Sequence, residues 1–144
     1  MTRRTFVGIV LVWLAACGGS SSPSSPTTSL NLAGSWTGTW QFVTSGTITT
    51  DTITATLTQN GTDAGGTWTA QSGATGQFTR LTATASTSGS MTISQTTLSG
   101  TVCSGTTSVS GTATSATLEL TIAPITPSGI CQWATGQQFS LRRP

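Results

Sequence analysis

From Gly34 onward, apolar and hydroxyl side chains take turns along the chain. Trp36, Gly38, Trp40 and Phe42 interleave with Ser35, Thr37, Thr39 and Gln41. Successive side chains of a strand point to opposite faces, so this segment reads as a strand with an aromatic face in a core and a hydroxyl face in water. Ile53, Ala55 and Leu57 alternate with Thr52, Thr54, Thr56 and Thr58 in the same way. Asn60-Gly61 marks a turn, and Gly66-Thr67-Trp68-Thr69-Ala70 is the returning strand. Phe78 and Leu81 fall on opposite parities, which predicts a bulge near Arg80 or a strand that starts after it. Ser88-Gly89 is predicted to turn the chain into Met91-Thr92-Ile93, and further strands are expected at 98–102, 109–113, 118–122 and 137–143. No window beyond residue 16 has apolar residues at helical spacing, so almost no helix is expected. The fold class is all-β. About eight antiparallel strands on short turns suit an up-and-down barrel, whose closure removes exposed sheet edges. A β-sandwich is the alternative; its immunoglobulin form wants a Trp between two cysteines, whereas Trp133 follows both Cys103 and Cys131.

One segment breaks the alternation. Arg3 and Arg4 precede a continuous apolar run from Phe6 to Ala16, which is shorter than the ~20 residues a helix needs to cross a bilayer core. The run ends on Leu14-Ala15-Ala16-Cys17, which resembles the lipobox of bacterial lipoproteins. An ordinary secretory signal wants a small residue third from its cut, where cutting after Ala16 would put Leu14. The resemblance implies a signal peptide over 1–16, a diacylglyceryl group on the Cys17 thiol, and Cys17 as the mature N-terminus. By the same resemblance, Gly18 after the Cys favours the outer membrane, with the protein facing the periplasm or the cell surface. Gly18 to Ser29 has neither charge nor apolar residue and reads as a flexible tether. Residues 17–29 are thus lipidated Cys and linker, and 30–144 form a single domain.

With Cys17 given to lipid, Cys103 and Cys131 remain, in a compartment where disulfides persist, and a disulfide between them is expected. Their separation is 131 − 103 = 28 positions. A loop of that size is worth about 3.5 kcal/mol in the loop-entropy model. A metal or redox pair fits poorly, because the thiols are far apart in sequence and the chain has no His.

Asn31-Leu32-Ala33-Gly34-Ser35-Trp36 resembles the opening of the calycins, the superfamily of lipocalins, avidins and small bacterial inhibitors, in which a turn leads into Gly-x-Trp on the first strand. The resemblance implies an Arg from the last strand packed over that Trp. Parity with Phe139 and Leu141 puts Arg143 on the inner face, with Arg142 as the second candidate. Leu57 to Ala70 is also similar to hairpins of lipocalin-like bacterial lipoproteins. The Thr-Asp-Tyr pattern of true lipocalins is missing, and the chain has no Tyr at all.

Charge and chemistry narrow the function. Only 6% of residues are charged, and the net +2 is carried by Arg3 and Arg4, since Arg80, Arg142 and Arg143 balance Asp51, Asp63 and Glu119. A neutral domain offers no basic footprint for nucleic acid. His, Lys and Tyr are absent and the three carboxylates are scattered, so the usual acid, base and nucleophile sets are missing and no enzyme or cofactor is expected. Thr-x-Thr triplets suggest ice binding, but no repeat of fixed period accompanies them. Trp40, Trp68, Phe78 and Trp133 are candidates to line a ligand cavity; the alternative is that they simply fill the barrel, which inward Ala55, Ala83, Ala85, Gly111 and Ala113 would leave partly open. The expected protein is therefore a lipid-anchored, non-catalytic binding module for a small apolar ligand, or a purely structural envelope component. The alternative is a protein-interaction or inhibitor module acting through the barrel loops.

Overall fold

The computed structural model describes residues 28–44, 47–96, 102–124 and 137–144. Among them lie eight strands and no helix: β1 (Gly34–Thr44), β2 (Thr47–Asn60), β3 (Asp63–Ala70), β4 (Thr75–Thr82), β5 (Ser86–Thr96), β6 (Val102–Ala113), β7 (Thr117–Ile122) and β8 (Gln137–Arg142). Each pairs antiparallel with the next, and β8 returns to β1, giving a closed up-and-down barrel. Closure joins Thr37 to Arg142 and Gln41 to Gln138. The sandwich alternative is excluded, because a single sheet closes on itself through β1 and β8.

Strand alternation carries straight into burial. Trp36, Trp40, Ile53, Ala55, Leu57, Trp68, Phe78, Leu118, Leu120, Ile122, Phe139 and Leu141 are all buried in one cluster inside the barrel. Their threonine and serine neighbours face water, some of them bonded across strands, as with the Thr54 and Thr69 hydroxyls 3.0 Å apart. The opposite parities of Phe78 and Leu81 correspond to a register shift between Phe78 and Arg80, which lets both side chains enter the core.

Three expectations need correcting. Ser88 and Gly89 lie within β5, not in a turn. The β4–β5 turn lies at residues 83–85 and is held by hydroxyls: Thr87 Oγ1 donates to Thr82 O at 2.7 Å, and Ser88 N donates to Thr82 Oγ1 at 2.8 Å. Threonine hydroxyls can bond nearby backbone groups and so do the work that glycine was expected to do. Ala85 accordingly sits in this turn and is exposed rather than inward. Gly111 also fails to leave space open. A Cβ there would collide with the Glu119 carbonyl of β7, so the neighbouring backbone takes up the room. The strand expected at 98–102 falls mostly outside the described residues, with Val102 opening β6.

The paired lengths give the barrel two unlike ends. At one, which we call the proximal end, the chain enters β1 and the β2–β3, β4–β5 and β6–β7 turns gather with the end of β8. At the other, the distal end, two hairpins project. The β1–β2 pairing continues to Thr44↔Thr47, although β3 leaves β2 at Ile53 and β8 leaves β1 at Gln41. The β5–β6 pairing continues to Thr96↔Val102, although β7 leaves β6 at Val109. In the order of strands round the barrel these two arms stand opposite each other.

Candidate functional site

The proximal end is closed by a network that starts with Gly-x-Trp. Trp36 is 1% exposed, and its indole Nε1 donates to Leu32 O at 2.9 Å. Arg143 lays its guanidinium over the Trp36 ring, with Cζ 4.8 Å from the centroid, in cation–π geometry. The same guanidinium donates from Nη2 to Asn31 O at 2.6 Å and from Nε to Ser115 O at 2.7 Å. Arg142, the other candidate, is exposed. The glycine of the motif has a reason. Gly34 has φ +125°, which favours glycine, and a Cβ there would sit 2.9 Å from Arg143 Nη1.

Gln59 ties the incoming segment to this end. Its Oε1 accepts from Leu32 N at 2.6 Å, and its Nε2 donates to Leu30 O at 2.7 Å and Gly61 O at 2.8 Å. Leu30 N also donates to Ala83 O at 2.7 Å. Sequence reasoning did not single out Gln59. Its signal was an amide on the inward parity of Ile53, Ala55 and Leu57, and Gln137 carries the same signal before Phe139 and Leu141.

Toward the distal end the interior is aromatic. Trp40 stacks on Phe139 (centroids 5.9 Å apart, planes at 14°) and meets Trp68 edge-on at 5.7 Å. Phe139 in turn meets Trp68 at 5.1 Å and Phe78 at 5.8 Å, both edge-on. Half-buried Phe42 extends the group, 4.5 Å from Trp40. The structure thus brings together three of the four predicted cavity residues, Trp40, Trp68 and Phe78; Trp133 lies outside the described residues. Cys17 and Cys131 do too, and of Cys103 only its backbone place in β6, opposite Gln95, is described.

The polar groups within this aromatic region are treated unequally. Trp40 Nε1 donates to the buried Gln137 Oε1 at 3.1 Å, and Thr107 Oγ1 donates to Ala123 O at 2.7 Å. Trp68 Nε1 has no acceptor, although the residue is 1% exposed; among the described residues it is the one buried side-chain polar atom left without a partner. Outside the barrel, a groove of about 390 Å³ over the β3 and β4 register shifts carries the exposed Arg80–Asp63 ion pair, 3.0 Å long. Among the described residues no three His, Cys, Asp or Glu side chains gather as metal ligands.

Fold and geometry together define a closed eight-stranded up-and-down β-barrel with one end closed by an Arg–Trp contact. Comparison with family models, curated proteins and solved structures found no match.

Proposed function

We propose that the protein is a non-catalytic binding module, held at the cell envelope by lipid on Cys17, that takes a small, largely apolar ligand from the distal end of its barrel. The observation that carries this reading is the contrast inside one barrel. The proximal end is crossed by the incoming chain and locked by Arg143, whereas the distal half holds the rings of Trp40, Trp68 and Phe139 buried against one another, with a buried donor unspent. Opened by a small displacement at this end, such a cluster suits an apolar body with one hydrogen-bonding group. The ligand would rest against this aromatic group rather than run the length of the barrel, because Trp36 and Phe78 fill the interior beyond it. The tether would join the barrel at its proximal end, through Leu30, and leave the distal end free of it.

Anchoring rests on Leu14-Ala15-Ala16-Cys17. One acyl chain holds a protein only marginally, at about 0.8 kcal/mol per buried CH₂, whereas two or three hold it stably. Gly18 favours the outer membrane as the surface. Intact mass of the membrane-extracted protein tests both covalent claims: a chain starting at Cys17 with added acyl mass, and two hydrogens missing for a Cys103–Cys131 disulfide. An unmodified Cys17, or two thiols open to alkylation without reduction, would refute the respective claim. Native mass spectrometry of the protein from its own cells tests the ligand. A small molecule that leaves on activation supports the reading; a bare barrel whose Trp fluorescence ignores added apolar probes counts against it.

A second reading has its own observation. Ile48, on the projecting β1–β2 arm, is 70% exposed in an otherwise hydroxyl-rich ribbon. A protein partner that meets the barrel loops would cover this side chain. The low charge of the domain argues against a strongly basic target.

A further inference from the structure

Trp36, Trp40 and Trp68 all point into the same core, and two of them spend their indole N–H on a protein oxygen. Trp36 uses Leu32 O and Trp40 uses Gln137 Oε1, each within 3.1 Å. Trp68 alone keeps a buried N–H without an acceptor, which typically costs about 1–3 kcal/mol. As pure filler, a Phe there would provide similar apolar contact without that cost.

Small residues stand beside Trp68. A Cβ on Gly76, the residue of β4 paired with Trp68, would collide with Trp68 Cε2 and Cζ2, so the indole lies directly over the Gly76 backbone. Nε1 is bonded to Cε2 and is therefore at that edge of the ring. Next toward the distal end come Ala70 and Ala74, both buried, at the two sides of the β3–β4 turn, where Ala70 N donates to Ala74 O at 2.7 Å. The inward positions next to Trp68 on β3 and at the start of β4 thus carry only methyl groups or a glycine hydrogen. The turn itself contains Gly73 at φ +94° and is held at its rim by Ser72 N donating to Asp51 Oδ2 at 3.1 Å.

Resting on the ligand reading above, we infer that Trp68 Nε1 is its specificity-determining donor: the ligand carries a neutral acceptor oxygen, a ketone, ester or amide carbonyl, which takes this N–H in the corner formed by Ala70, Ala74 and Gly76. The nitrogen is covered in the structure, so the acceptor arrives with a small displacement of the β3–β4 turn, and the new hydrogen bond offsets that displacement. A carboxylate does not fit the site, because among the described residues no cation lies in the aromatic cluster and a buried unpaired charge would be costly. A pure hydrocarbon could rest on the aromatic faces but would leave the donor unspent.

The test uses two probes of nearly the same shape, 2-acetylnaphthalene and 2-isopropenylnaphthalene, of which only the first has an acceptor oxygen. They are titrated into the mature protein in lipid nanodiscs, with empty nanodiscs to correct for partition. The readout is the indole ¹H–¹⁵N resonance of Trp68, assigned by its loss in Trp68→Phe. The expected result is that the ketone moves this resonance and binds about tenfold tighter than the alkene, and that Trp68→Phe binds the two equally. Equal binding of both probes to the parent would overturn the donor role while leaving the barrel-interior reading standing. Binding of neither probe would overturn both.

Discussion

The two ends of this barrel are built from the same kinds of residue and treat them differently. At the proximal end Trp36 Nε1, both amide atoms of Gln59 and the Arg143 guanidinium have all found partners, many of them backbone carbonyls of the incoming chain or of the turns. Around the distal aromatic group the ring contacts are as close, yet one indole donor is unmatched. Burial alone does not separate the two regions, since Trp36 and Trp68 are each 1% exposed. What separates them is polar satisfaction, the property in which a packed structural core and a binding surface are expected to differ.

That contrast can be attacked from the proximal side first. Trp36→Ala removes the ring on which Arg143 rests and should cost about 3–5 kcal/mol, read as a fall in the urea midpoint. Arg143→Met keeps an apolar stem over the ring but loses the charge and both carbonyl bonds, and should cost about 2–3 kcal/mol. A midpoint within error of the parent for either variant would mean that the Arg–Trp closure contributes nothing to the fold. The finer comparison swaps each indole for a phenyl ring. All three leave a void where the indole exceeds a phenyl ring; Trp36→Phe and Trp40→Phe also lose a buried hydrogen bond and should cost about 1–2 kcal/mol more than Trp68→Phe, which loses only an unmatched donor besides. Equal losses at all three positions would erase the distinction between matched and unmatched indoles.

Much of this was legible in the sequence, and for a physical reason. The period of two along Trp36 to Phe42 and Ile53 to Leu57 is imposed by strand geometry, so inner and outer faces could be read directly. The contact that Arg143 makes was implied by the resemblance of Gly-x-Trp and the terminal arginines to the calycins, while parity picked Arg143 ahead of Arg142. The turns were harder. Ser88-Gly89 has the composition of a turn, but Gly89 is in β5 because a Cβ there would collide with the Arg80 carbonyl, a constraint that exists only once β4 is alongside. Gln59 and Gln137 went unremarked because an inward amide has meaning only when its partners are known, and those lie far away in sequence: Gln137 is 97 positions from Trp40. The orphan nitrogen of Trp68 could not be foreseen at all, since what a donor lacks is fixed by everything packed around it.

The way the barrel closes also bears on the order in which it assembles. Seven strand pairings join neighbours in sequence, and the remaining one joins β8 to β1, while the bond from Arg143 to Asn31 spans 112 positions. Short loops close at low entropic cost and long ones later, so the hairpins are expected to form first, with the β1–β8 seam still open at the rate-limiting step. Side chains of the seam should then have low φ-values. In urea chevrons Arg143→Met should leave the folding arm nearly unchanged and raise the unfolding rate, so that the Arg–Trp contact lengthens the lifetime of the folded barrel rather than hastening its formation. A slowed folding arm with an unaltered unfolding arm would instead place the seam in the nucleus.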